Sequence, residues 1–176
     1  PAAWPAEAVD AAGGSDWTAA LLRGWAAAAG RFQDTRWADA LVQLWTRTPE
    51  ERRSELPFSP EPLLNDLEPA DRDAILVRVI GRSSLDGARL AVRCDHQWGE
   101  ELTRALLRQI PGLARSSSHI AVQVAVQAGL LGAVAAQAEA ERLAAKTTDV
   151  PWVDRALADL ADTLNWRALM AKELTT

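Results

Sequence analysis

Two nine-residue runs carry the same mark: Trp17-Thr-Ala-Ala-Leu21-Leu-Arg-Gly-Trp25 and, twenty residues on, Trp37-Ala-Asp-Ala-Leu41-Val-Gln-Leu-Trp45. Spacings of four and eight put Trp17, Leu21 and Trp25 on one stripe of a helix, and Trp37, Leu41 and Trp45 on one stripe of the next. Two similar helices in succession read as one hairpin of a repeating helical array. The expected fold is therefore all-α, with antiparallel helical hairpins stacked as a short α-solenoid or an irregular helical bundle. A chain of 176 residues suffices for one domain that buries roughly 70% of its unfolded surface. Residues 1–14, rich in Pro, Ala and Gly, are expected to be a flexible lead-in, and 15–176 a single helical-repeat domain.

Punctuation residues place the remaining helices. Asp34 or Thr35 can cap the second tryptophan helix, which must stop before Pro49. Prolines crowd residues 49–69, so short helical turns are expected there. Longer helices follow over about Pro69–Ile80 (ended by Gly81), Leu85–Cys94 and Trp98–Ile110, the last capped by Asp95. The run Ile120-Ala-Val-Gln-Val-Ala-Val-Gln alternates like a strand, yet Ile120, Val124 and Ala128 also repeat every four residues. A lone strand would have no partner in this chain, so helix is favoured. Gly129 and Gly132 are expected to break it before an alanine-rich helix ending near Lys146; Asp149 and Pro151 then open the last helix.

The W-x-x-A-L-x-x-x-W pattern over roughly residues 15–132, with Trp152-Val-Asp-Arg-Ala-Leu157 as a looser cousin, resembles the HEAT and armadillo class of helical repeats. Asp71-Arg72 and Asp86-Gly-Ala-Arg89 echo the Asp/Arg pair of that class. A link to an uncharacterised bacterial helical-repeat family is also suspected. What the resemblance implies is scaffolding or partner binding, not catalysis.

Little in the chain writes chemistry. One cysteine, Cys94, excludes an intrachain disulfide and fits a reducing compartment; the start lacks the basic and apolar regions of a signal peptide. Residues 120–136 are too short and too rich in Ala and Gly for a membrane span. No phosphate-binding glycine motif is present. Cys94-Asp95-His96, with His119 downstream, is the most suggestive cluster, but one Cys and two His fall short of a closed zinc site. No cofactor or metal is expected. The plainer reading makes Cys94 a small core residue and Asp95 a helix cap.

Charge is the sharper clue. Residues 49–73 hold eight acids against three arginines, whereas residues 74–118 hold seven arginines against four acids. Six of the seven fall as i, i+4 pairs: Arg78/Arg82, Arg89/Arg93 and Arg104/Arg108. Equivalent positions of stacked helices line one surface, so the pairs form a candidate arginine ladder facing an acidic protein. A net charge of −5 argues against nucleic acid as the partner. The sequence thus reads as a non-catalytic interaction scaffold, part of a larger cytoplasmic bacterial protein. The alternatives are an enzyme or accessory domain with a site near Asp95, His96 and His119, and a purely structural solenoid module.

Overall fold

The computed structural model describes residues 18–174 and is all α-helical, with no strand among the described residues. The expected lead-in and the first indole of the repeat, Trp17, lie outside the described residues. Helices α1 (Thr18–Arg31), α2 (Thr35–Arg47) and α3 (Pro60–Asn65) come first, with a 3₁₀ turn at Glu50–Glu55. Then follow α4 (Pro69–Arg82), α5 (Ser84–Ala91), α6 (Glu100–Ser116) and α7 (Ser118–Leu131). A 3₁₀ turn at Val134–Ala136, α8 (Gln137–Ala144) and α9 (Pro151–Glu173) complete the chain. Where the sequence reads as one domain, the described residues group into two compact units, one ending at Ile75 and the other beginning at Leu76, with α4 running across the division.

In the first unit α1 and α2 pack on each other and on α3. Asp34 begins α2 as expected: its carboxylate accepts from the backbone N–H of Arg36 at 3.1 Å and of Trp37 at 3.4 Å. The buried stripe, however, is rotated away from the tryptophans. Leu22 and Ala29 of α1 and Ala38, Leu41 and Val42 of α2 form the core, whereas Trp25, Trp37 and Trp45 flank it and are only half-buried. Their bulk is covered from the side: Trp25 and Trp37 stack obliquely, centroids 4.9 Å apart, and the Arg53 guanidinium lies 4.1 Å from the Trp45 centroid. The deepest polar group is Arg72, fully buried, with Nε and Nη2 donating to Asp73 Oδ1 at 3.0 and 2.7 Å. Asp73 is thus a carboxylate that it bonds, while the Asp71 that the repeat resemblance singled out is exposed.

The second unit is built round a tight hairpin. One residue, Ser117, joins α6 to α7, and the two helices pack along their length. The α6 core face is Leu102, Leu106, Ile110 and Leu113; α7 contributes Ile120, Val124 and Ala128. Helix α6 runs through Pro111, beyond the expected end at Ile110, and is capped by Gly99, not Asp95. Proline in a helix removes one backbone donor and crowds the preceding turn, yet the buried residues Leu113 and Ala114 beyond it continue the apolar stripe. Helix α4 likewise passes Gly81 and reaches Arg82, because Ser83 caps the next helix by accepting from Asp86 N–H. Gly87 is where α5 crosses α4: a Cβ there would lie 2.8 Å from the Ile80 backbone.

Helix α9 lies on α7 and α8 through Val153, Leu157, Leu160 and Leu164. The C-terminus of α7 is then held by three other segments. Trp98 N–H donates to Leu131 O at 2.9 Å, and the buried Thr103 hydroxyl accepts from Ala133 N–H at 3.0 Å while donating to Gly99 O at 2.8 Å. Arg167 Nη1 donates to Gly129 O and Gly132 O at 2.8 and 2.9 Å. Orphan carbonyls at a helix end need such partners. Replacing Arg167 by Met keeps the stem and removes both charge-assisted bonds. We expect a loss of about 1.5–3 kcal/mol in chemical denaturation; an unchanged midpoint would show that these carbonyls do not depend on Arg167.

Candidate functional site

Among the described residues no hydrogen bond or ion pair joins Asp95, His96 and His119 to one another. Cys94 is buried at 1% exposure, as a core residue would be, whereas Asp95 is exposed and His96 half-buried in the segment between α5 and α6. His119 is exposed on α7, where its Nδ1 lies 3.3 Å from Ser117 Oγ, only two residues away. Among the described residues no carboxylate bonds that imidazole. Among the described residues no three His, Cys, Asp or Glu side chains come together as a metal site, and no helix is long and apolar enough to cross a membrane.

The six arginines all belong to the second unit, and their helical geometry differs from expectation. Arg78 and Arg82 are a true i, i+4 pair, both exposed, since α4 extends to Arg82. Arg89 is half-buried on α5, but Arg93 lies past that helix, which ends at Ala91. Arg104 and Arg108 of α6 meet in a groove of about 490 Å³ that also holds Val77, Glu100 and Glu101. Arg104 is engaged there: Nη2 lies 2.7 Å from Glu100 Oε1 and donates to Ala135 O at 3.3 Å. Glu139, held below the usual carboxylate range chiefly by its bond to Arg142, also feels the charges of Arg104 and Arg108. This groove is mixed in charge, two arginines against two glutamates.

The exposed apolar residues are concentrated elsewhere. Among the described residues eight large apolar side chains are exposed; Val126 and Leu130 lie on α7, Trp152, Trp166, Leu169 and Met170 on α9, and Leu174 directly after it, leaving only Phe32 in the first unit. Their helices enclose a groove of about 360 Å³ floored by Ala125, Gly129 and Ala156 and walled by Val126, Leu130 and Trp152. Small residues set the floor low: a Cβ at Gly129 would sit 3.5 Å from Thr163 Cγ2. Arg155 and Asp159 are the groove's charged residues. In the first unit, Trp25, Phe32 and Trp37 line a separate pocket of about 430 Å³.

Sequence reasoning missed the α7/α9 face, since the apolar residues of the last helix do not say by themselves which of them meet a neighbour. The last helix carries two stripes. Val153, Ala156, Leu157, Leu160 and Leu164 are buried, while Trp152, Trp166 and Met170 project on the other side. Helix phase contained that signal: Trp152 and Leu157 are five residues apart, about 140° round the helix.

The start of α9 is fixed by an unforeseen device. Asp149 adopts a left-handed turn, φ 63°, and Val150 occupies the cap position without a side-chain bond. Asp154, one turn inside, reaches back instead. It accepts from Thr148 N–H at 2.7 Å, Thr148 Oγ1 at 2.6 Å and Thr147 Oγ1 at 3.0 Å. These bonds, the Thr148 hydroxyl first, hold the Asp154 carboxyl below its ordinary value. A carboxyl whose pKa falls on folding stabilises the fold above its unfolded pKa and loses that contribution as pH drops through the lower folded value. We expect Asp154→Asn to narrow the gap in melting temperature between neutral and strongly acidic buffer; an unaltered gap would show the carboxylate to be thermodynamically idle.

No curated protein and no solved structure matches this chain. Residues 2–174 match one protein family, and that match spans both units and every element described above. The chain belongs to the family of unknown function DUF5691.

Proposed function

We propose that this chain is a protein-interaction module whose docking face is the apolar surface of α7 and α9. One observation carries the reading: seven of the eight exposed large apolar side chains among the described residues sit on or directly after these two helices. A protein that works alone rarely leaves a contiguous apolar patch in water, because each exposed aliphatic or aromatic group forgoes hydrophobic stabilisation. The groove between the helices, with a floor of small residues and a rim of Val126, Leu130 and Trp152, suits an incoming helix. The arginine surface is the second interaction reading. Exposure of Arg78, Arg82, Arg93, Arg104 and Arg108 supports it, and the Glu100 and Glu139 carboxylates beside Arg104 weaken it.

Two variants separate the readings. Val126→Lys with Leu130→Lys alters only exposed positions, 52% and 63% accessible, and should leave the melting temperature nearly unchanged. Arg89→Glu with Arg93→Glu alters the arginine surface. With the native protein as bait in an extract of its own host, we expect captured partners to be lost by the lysine variant and kept by the glutamate variant. The reverse pattern would transfer the docking role to the arginines. Retention by both would remove both surfaces from consideration.

A further inference from the structure

We propose that the occupant of the α7/α9 face is a second copy of this chain, docked antiparallel through α9 about a two-fold axis near Ala158. The proposal rests on reading that face as a docking surface and specifies what sits on it. Trp152, Arg155, Asp159, Trp166 and Met170 recur at spacings of three, four, seven and four, which draws a single stripe along α9. All five are exposed, and the stripe is turned away from the buried Val153, Leu157, Leu160 and Leu164. Val126 and Leu130 of the adjoining helix widen the face. Asp162, also exposed, falls at its margin.

The charges on this stripe are self-complementary. Arg155 and Asp159 are opposite in sign, four residues apart, and neither is engaged in an ion pair among the described residues. A two-fold interface brings residue i of one copy to residue j of the other and j to i. With antiparallel helices centred on Ala158, Arg155 stands two residues, about 3 Å along the axis, from the level of Asp159 in the second copy. The same axis brings Trp152 and Trp166 of opposite copies to within the same offset of about 3 Å. One geometry therefore forms two ion pairs and two indole contacts at once. A parallel pairing would instead set Arg155 against Arg155 and Asp159 against Asp159, where like charges repel. Helix dipoles also favour the antiparallel arrangement. Indoles at the outer positions with a charge pair between them supply both adhesion and register.

The test is sedimentation equilibrium of the full chain at low salt over about 1–300 µM, a range that spans micromolar dissociation constants. We expect a monomer–dimer equilibrium that weakens with added salt. Arg155→Asp alone and Asp159→Arg alone should each weaken it by about tenfold or more, since each creates two like-charge contacts per dimer. An equimolar mixture of these two variants should regain association as a heterodimer, visible by mass in native mass spectrometry, and the Arg155→Asp/Asp159→Arg double variant should regain the homodimer. Only a two-fold antiparallel pairing predicts both recoveries. Trp166→Glu, at a position 63% exposed, should abolish association with an unchanged melting temperature. A native chain that stays monomeric throughout overturns the proposal, as does a dimer indifferent to all these substitutions. If such a monomer still loses captured partners on Val126→Lys/Leu130→Lys, the docking face stands and its occupant is a different protein.

Discussion

The second unit depends on how one helix end is closed. At the C-terminus of α7, carbonyls that the helix itself cannot satisfy are met by Trp98 and Arg167, and the backbone N–H of Ala133 just beyond it is met by Thr103. Thr103 is the most economical of the three, since one buried hydroxyl both donates to the start of α6 and accepts from the residue after Gly132. The open ends of the α6/α7 hairpin are thereby tied together, opposite the single-residue link at Ser117. Arg167 fastens α9 to the same point. The apolar faces of these helices supply most of the driving force, but apolar contact is non-directional. The hydrogen bonds at the α7 terminus choose one arrangement among the many that would bury similar area, and the exposed α7/α9 face follows from that choice.

Much of the secondary structure was legible in the residues, because capping and periodicity are local. Asp34 caps α2, Gly132 ends α7 although Gly129 lies inside it, and residues 120–128 are helical rather than a strand. Local signals misled where a distant partner intervened. Pro111 suggested an end that the continued burial of Leu113 and Ala114 overrides, and Gly81 suggested a stop that Ser83 provides two residues later. The tryptophan pattern has the correct period and a shifted phase: Leu41 of the second stripe is buried, but Trp25, Trp37 and Trp45 are half-buried and the core extends to Leu22, Ala29, Ala38 and Val42 beside them. Phase depends on which face meets a neighbour, and a single helix does not carry that information.

Charge shows the same divide between chain and space. Counted along the sequence, residues 74–118 have an excess of arginine. In three dimensions Glu139, outside that window, stands among Arg104, Arg108 and Arg142, and Glu100 binds Arg104 directly. Arg155 and Asp159 cancel in any sequence window that holds both, so a charge count does not single them out, yet they are the charged residues of the apolar groove. The proposed pairing draws on their position on a helix face and not on any local excess of charge.

The one-residue link at Ser117 has a consequence for how the second unit forms. Closing a loop costs more entropy as it lengthens, and pairings close in sequence are made fastest. Helices α6 and α7 can therefore meet almost as soon as both are helical, giving an early nucleus that already buries Leu106, Ile110 and Val124. The Arg167 bonds to Gly129 and Gly132 span 38 and 35 residues and must await α9. Until they form, the hairpin exposes the groove floor of Ala125 and Gly129 together with the core positions that α9 will cover. Contact order therefore favours assembly of this unit with the hairpin first and the long terminal helix last.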